Sequence, residues 1–267
     1  MPPPANDTTL AALRAEAQAV KERAYVPYSG RHEAVVVLLS DGTWVPGVRV
    51  ENASYSLLIP ALVNAYSTAV AAGRRDVVAV VGNHPLLPEA EAFLHALPTA
   101  FDKVADDAFI ATNLEALPIP CDCLDPFLPG MPPDDEVDGI ALARDIATRA
   151  YVPESDFPVG CVLVTAYGLL PGVNVEHSDW TRILCAERNA IGTAITWGAA
   201  PANALYLTCT KDPEGSPCGA CRQVLAELAT GATLWMDRGS ASPEAATPEQ
   251  LLPGAFTGEA LHPASRT

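Results

Sequence analysis

The chain repeats itself once, and that repeat limits what 267 residues can fold into. Arg23-Ala24-Tyr25-Val26-Pro27 recurs letter for letter as Arg149-Ala150-Tyr151-Val152-Pro153. Residues 47–73 align without gaps onto 172–198, with 10 of 27 positions identical, among them Gly47/Gly172, Glu51/Glu176, Asn64/Asn189 and Gly73/Gly198. The offset is 126 in the first segment and 125 in the second, so one residue has been lost in a turn between strands. Leu117-Pro118 answers Leu252-Pro253. The period exceeds the roughly 20–45 residues of a solenoid unit. Two copies of about 120 residues are each long enough for a small core of their own.

The expected division is a first copy over 1–120, a Pro-rich linker over 121–138 and a second copy over 139–267. Pro126, Pro129, Pro132 and Pro133 mark the linker, and Asp134-Asp135-Glu136 adds a solvated acidic run. Both copies read alike. Thr8 or Thr9 is the expected cap of a helix whose apolar side is Leu10, Leu13, Ala17 and Val20; Ile140, Ala143 and Ile146 open the second copy in the same way. Strands follow at Ala34 to Leu39 and Cys161 to Thr165, then turns at Asp41-Gly42 and Gly168, then strands ending near Glu51 and Glu176. Residues 185–197 read as a buried helix and Leu205 to Thr210 as a strand. Cys221 to Ala229 reads as a helix, and Ala232 to Met236 as a fourth strand. Helices between late strands predict an α/β sandwich on a mixed sheet.

Charge excludes several functions. Sixteen basic against 32 acidic residues give a net −16, the wrong sign for binding nucleic acid or an anionic membrane. No apolar run nears the roughly 20 residues of a membrane span, and Met1 to Leu10 lacks the pattern of a signal peptide. A cytoplasmic protein is expected. Seven cysteines are an odd count for a disulfide framework, and their clustering suits a metal.

Three cysteines and one glutamate carry the chemistry. Cys185-Ala186-Glu187 is followed 33 residues later by Pro217-Cys218-Gly219-Ala220-Cys221. A Cys-x-x-Cys at a helix start and a third thiolate from another helix start supply three legs of a tetrahedron. With no convincing fourth protein ligand, the site keeps a position open, as catalytic zinc sites do. Helix N-termini stabilise the thiolates. Arg188 is expected to offset their remaining charge by hydrogen bonds to sulfur. Glu187 is expected to move protons beside a metal-activated water. His177 is the one nearby candidate for a fourth ligand, and a contact with substrate or a neighbouring subunit suits it better. Cys161 and Cys209 read as core, Cys121 and Cys123 as linker thiols outside the metal set, Trp180 as packing, and His32, His84, His95 and His262 as surface.

Residues 136–256 resemble the zinc-dependent cytidine deaminases. The likeness runs through Phe157-Pro158-Val159-Gly160, Asn174-Val175-Glu176, Cys185-Ala186-Glu187-Arg188, Pro217-Cys218-Gly219-Ala220-Cys221-Arg222-Gln223-Val224-Leu225 and Leu251-Leu252-Pro253-Gly254-Ala255-Phe256. It implies two tandem α-β-α sandwiches, each around a mixed five-stranded sheet, in which the strand not separated above is expected to come first. It implies one Zn²⁺ per chain and hydrolytic deamination of cytidine or deoxycytidine to the uracil nucleoside and ammonia, as in pyrimidine salvage. Asn174 and Glu176 would hold the ribose hydroxyls, Phe157 would stack on the pyrimidine, and the backbone around Ala186 would meet the base, with Arg188 and Pro217 in support.

The first copy resembles the same family without its chemistry: Pro60 stands where Cys185 stands, Leu62 where Glu187 stands, and Pro88 to Leu97 holds no cysteine. Two other functions stay open at this point: deamination of a modified cytosine nucleoside or an aminoacyl-nucleoside antibiotic such as blasticidin S, and a catalytically silent zinc-containing scaffold. The antibiotic reading arises because the family's Asn-Ala-Ser-Tyr segment survives in the first copy (Asn52 to Tyr55), whereas the second has His177-Ser178-Asp179-Trp180 and then Arg182. By resemblance, Ala53 and Tyr55, from the same or a partner chain, would complete the zinc pocket of the second copy. The chain would then form a homodimer that imitates the tetramer of single-copy relatives.

Overall fold

A computed structural model describes residues 5–112, 114–179 and 182–261; Trp180 and His262 lie outside the described residues. The first copy runs α1 (Ala5–Val20), β1 (Ala34–Leu39), β2 (Trp44–Val48), α2 (Ala61–Ala71), β3 (Val77–Gly82), α3 (Pro88–His95), β4 (Phe101–Ala105) and β5 (Ala108–Ala111). The second runs α4 (Glu136–Ala147), β6 (Val159–Thr165), β7 (Gly168–Val173), α5 (Ala186–Thr196), β8 (Ala202–Cys209), α6 (Gly219–Leu228), β9 (Thr233–Met236), β10 (Glu244–Ala246) and α7 (Pro248–Leu251). Helix α1 buries Leu10, Leu13, Ala17 and Val20 as their spacing predicts. It begins at Ala5, however, so neither Thr8 nor Thr9 caps it. Thr9 turns inward and its hydroxyl donates to the Pro118 carbonyl at 3.4 Å.

Each copy has one five-stranded sheet, in the orders β2-β1-β3-β5-β4 and β7-β6-β8-β9-β10. The second is mixed, as expected, with β8 and β9 parallel. The first departs from the expectation and is antiparallel throughout. Helix α6 returns the chain directly beside β8. After α3 the chain instead runs to the outer edge as β4, and the β4–β5 hairpin brings it back beside β3. The fifth strand of the second copy is β10, paired outside β9, not an extra strand at the start.

The invariant pair Gly47/Gly172 sets how closely helix and sheet approach. A Cβ on Gly47 would meet Ala65 N at 2.3 Å and Ala61 O at 2.4 Å, and one on Gly172 would meet Ala186 O at 2.2 Å. Helices α2 and α5 therefore lie backbone-close on β2 and β7.

These two helices also join the copies. All 11 residues of α2 are buried, as are all but Ile195 in α5, so both helices are covered on both faces. Asn64 Nδ2 lies 3.2 Å from Gly192 O and 3.0 Å from Thr196 Oγ1, and the Thr68 and Thr193 hydroxyls meet at 2.8 Å. The repeated arginines act reciprocally: Arg23 donates to the Thr196 carbonyl and Arg149 to the Ala71 carbonyl, each at 3.0 Å. Each guanidinium thus sits at the negative C-terminal end of the other copy's buried helix.

The linker is pinned. Trp44 N donates to Asp122 O and Leu124 N to Trp44 O, both at 2.9 Å, while Leu128 N donates to Leu169 O at 2.8 Å. Residues 122–128 therefore run from β2 of one sheet to β7 of the other. The expected boundary at 138 falls inside α4, because Asp135 caps that helix by accepting from Val137 N and Asp138 N at 2.9 Å.

Arg23→Met and Arg149→Met are each expected to cost about 1–2 kcal/mol, the worth of a lost charged hydrogen bond with its packing retained. Urea denaturation midpoints of the two variants check this; unchanged midpoints would remove the arginines from the joint.

Candidate active site

Cys185 is the N-cap of α5 and Cys218 the N-cap of α6, with Cys221 in the first turn of α6. Two helix N-termini thus converge on one point. The Cys185 and Cys218 sulfurs lie 3.8 Å apart, and all three sulfurs lie within 4.8 Å of one another. A tetrahedron with Zn–S legs of about 2.3 Å sets its sulfurs about 3.8 Å apart, so the geometry and the thiol donors fit zinc. Cys221 is buried, Cys185 half-buried and Cys218 exposed, which leaves one open side. The three thiols differ in acidity. Hydrogen bonds from Cys185, Cys221 and nearby amides push Cys218 down, while the hydrogen bond with Cys218 pushes Cys185 up and those with Cys185 and Cys218, together with burial, push Cys221 up.

Glu187, one residue into α5, is 3 % exposed. Burial pushes its carboxyl up to about 7, so near neutrality it can both hold and release a proton. Ala186 is fully buried and its carbonyl accepts from the Cys161 thiol at 3.2 Å, which places Cys161 in the core as expected. Cys209 is half-buried, Cys121 and Cys123 are exposed, and none of these joins the metal cluster.

The 174–176 segment, expected to bind substrate, is tied to a thiol ligand. Val175 pairs with Leu184 in both directions, at 2.9 and 3.1 Å, which ties the Asn174-Val175-Glu176 segment to Cys185. Asn174 accepts from Val159 N at 2.8 Å and donates to Phe157 O at 2.9 Å, which fixes the backbone of half-buried Phe157. Glu176 accepts from Glu154 N at 2.9 Å, Ser155 N at 3.1 Å and the Ser155 hydroxyl. The turn ends at Asp156 with φ 51, where the first copy has Gly30 with φ 67. Glu51 holds that equivalent turn through Tyr28 N and Ser29 N, both at 3.1 Å, and the Ser29 hydroxyl. Ser29 and Ser155 were missed as site-building residues, although the repeat places them in register.

Arg188 departs from expectation. Among the described residues no hydrogen bond joins it to sulfur; its Nη2 donates to the carbonyls of Leu57 and Leu58 at 3.0 and 3.2 Å, and its Nε is buried without a partner. Pro217 is buried, and its carbonyl accepts from Arg222 Nε at 2.8 Å. Arg222 also donates to Ser216 Oγ at 2.9 Å and Leu251 O at 3.1 Å, so it braces the Cys-x-x-Cys turn against the chain's tail.

The segments flanking the site exchange partners between copies. His177 stacks on Phe93 of α3 at 4.9 Å between ring centroids, and its Nε2 lies 3.1 Å from Phe93 O while Nδ1 accepts from Asp179 N. Both ring nitrogens are occupied, so His177 is not a metal ligand. Arg182 donates to the Glu89 carbonyl. In the other direction, the Glu227 carboxylate on α6 accepts from Ala53 N at 2.7 Å and from the hydroxyls of Tyr28 and Tyr25 at 2.8 and 3.2 Å. Glu227 carries no sequence signal of its own. Tyr55 is 90 % exposed, so it does not close its own chain's zinc pocket.

Two family models, each described as the cytidine and deoxycytidylate deaminase zinc-binding region, match residues 134–236 and 3–87. A cytidine deaminase of Sporosarcina psychrophila is 39% identical over 124 residues, which are 46% of this chain and 91% of that protein. The chain belongs to the cytidine deaminase family. A cytidine deaminase of Halalkalibacterium halodurans is 36% identical over 115 residues, 42% of this chain and 87% of that one. A crystal structure of cytidine deaminase from Burkholderia pseudomallei, 34% identical, covers 44% of this chain and 96% of its own, with a TM-score of 0.41. No described helix is long and apolar enough to cross a membrane.

Gly172→Ala tests how the site is positioned. The added Cβ must push α5, with Cys185 and Glu187, off β7; the expected cost is about 1–3 kcal/mol, together with weaker metal retention. Thermal unfolding and metal analysis after dialysis read both, and wild-type values on both would refute the close-approach argument.

Proposed function

We propose that the second copy catalyses hydrolytic deamination of cytidine or deoxycytidine, releasing ammonia and the uracil nucleoside. The observation that carries this reading is a buried carboxyl, Glu187, beside three thiols spaced for one tetrahedral zinc with an open side. When bound, zinc would supply Lewis-acid activation of the attacking water. The chain's own residues do the rest. Glu187 takes one proton from the attacking water and delivers it to N3 of the base as C4 is attacked, then carries the proton of the new C4 hydroxyl to the departing amine, which leaves as ammonia while the C4 carbonyl forms. Phe157 faces the pyrimidine, and Asn174 and Glu176, already braced by the 153–159 loop, offer their remaining hydrogen-bonding capacity to the ribose. His177 and Arg182 are both spent on α3 of the first copy, so their departure from the family pattern reads as a joint between copies and not as a pocket for a larger antibiotic. A proton-transfer group held beside the metal ligands is what a silent scaffold has no use for.

One zinc per chain is expected by elemental analysis, because the ligands occur in one copy. Cys218→Ala is expected to lose it. Glu187→Gln should keep the zinc and lose turnover of cytidine by roughly 10²–10⁴, followed by ultraviolet absorbance. Near-normal turnover by this variant would end the assignment.

A homodimer is part of the same reading. With Tyr55 exposed on its own chain, the zinc pocket it would complete belongs to the partner. Tyr55→Ala is then expected to raise KM or lower kcat with zinc content unchanged. A monomer in sedimentation, or an unaffected variant, would leave Tyr55 without that role.

A further inference from the structure

The two copies treat one repeated tyrosine differently. Tyr25 and Tyr151 hold the same place in the duplicated Arg-Ala-Tyr-Val-Pro segment. The Tyr25 hydroxyl donates to the Glu227 carboxylate of the other copy at 3.2 Å. The Tyr151 hydroxyl has no hydrogen-bond partner among the described residues. Tyr151 instead lines a cavity of about 180 Å³ against α2, β3 and β4 of the first copy. The walls are apolar, with Val77, Leu97 and Phe101 beside the rings of Tyr66 and Tyr151. An apolar cavity of roughly 150 Å³ takes up benzene, so one six-membered ring has room here.

Three unspent donors meet at this cavity. Arg75 is the single charged side chain in its lining. The guanidinium lies 5.1 Å from the centroid of the Tyr151 ring and makes no ion pair or hydrogen bond among the described residues. The adjacent carboxylate, Asp76, is taken: Arg74 holds it through two hydrogen bonds of 2.8 Å. Tyr66 is 4 % exposed, and its ring stands edge-on to Phe93 at 5.6 Å between centroids. Its hydroxyl, like that of Tyr151, finds no partner among the described residues. Burial pushes the Tyr66 phenol up to about 12, so near neutrality it keeps its proton and can donate. One guanidinium with two phenols matches one carboxylate, whereas a phosphate dianion would leave its second charge unmatched. At Tyr25 the chain supplies the carboxylate itself; at Tyr151 it supplies the cation and the donors.

We propose that this cavity is a binding site for a small aromatic carboxylate, with the ring against Val77, Leu97 and Phe101 and the carboxylate at Arg75, Tyr66 and Tyr151. The site goes beyond the deaminase reading and takes no support from it. Its walls come from both copies, so an occupant bridges them. Tyr151 N also donates to Asn174 O at 3.1 Å and Tyr151 O accepts from Glu176 N at 2.8 Å, which sets one wall of the cavity on the segment proposed to hold the ribose.

The test is calorimetric titration of the full-length, zinc-loaded protein with benzoate, benzyl alcohol and inorganic phosphate. Benzoate is expected to bind saturably and at least roughly tenfold more tightly than the other two. Arg75→Met, at an exposed side chain, should weaken it roughly tenfold, as loss of one charged contact does. Tyr66→Phe, which keeps the ring, should weaken it roughly threefold. Thr99→Trp, in the turn after α3, should fill the cavity and abolish binding. Two controls sit elsewhere: Phe157→Ala in the proposed nucleoside pocket, and Arg31→Ala in a separate cavity of about 860 Å³ in the first copy. Both should leave benzoate affinity unchanged. Absence of saturable binding, equal affinity for benzoate and benzyl alcohol, indifference to Arg75→Met and Thr99→Trp, or loss of binding in either control would overturn the proposal. None of these readouts depends on cytidine turnover, so failure of the deaminase reading would leave them intact.

Discussion

Everything in this molecule depends on two helices that have no solvent face. Helices α2 and α5 lie backbone-close on their own sheets through Gly47 and Gly172 and cover each other on the opposite side. A separated copy would expose the face through which α2 and α5 cover each other, including buried Asn64, Thr68, Thr193 and Thr196, so neither copy is a domain that can drift from the other. The polar groups within the joint are paired across it, Thr68 with Thr193 and Asn64 with Thr196, which fixes register as well as contact. Because α5 carries Cys185 and Glu187 at its first turn, the joint also positions the chemistry.

The copy without metal ligands braces the copy that has them. Arg188, next to the buried glutamate, is anchored on Leu57 and Leu58 of the first copy, and Glu227 on α6 gathers Tyr25, Tyr28 and Ala53. Both helices that supply thiols are therefore held from the side by the neighbouring copy. The second copy returns the favour on α3 through His177 and Arg182. His177 and Arg182, which stand where the first copy has Asn52 and Leu57, are thus held by the neighbouring copy.

The sequence revealed most of the site and less of the sheets. Cys185, Glu187, Cys218 and Cys221 are legible because a metal demands particular atoms at particular spacings. The α2/α5 correspondence is legible because residues 47–73 and 172–198, which contain the two helices, align without gaps. The antiparallel β4–β5 return was not legible: short strands such as Ala108–Ala111 carry no direction, and whether a chain comes back parallel or antiparallel depends on where it leaves the preceding helix. Strand β10, with Glu244 and two alanines at an edge, has no apolar run to find. Arg188 was misplaced because adjacency in sequence said nothing about the carbonyls a second copy would bring within reach. Glu227 was invisible for the same reason.

The stretch from Asp122 to Leu128 does more than tether. It lays backbone hydrogen bonds on Trp44 and Leu169, which belong to β2 and β7, the strands at the margins of the two sheets. Unpaired margins of this kind recruit strands from other molecules. By occupying both, one short proline-bearing ribbon gives a duplicated protein a defence against polymerising through its own repeats, a hazard that fusing two copies of one fold creates.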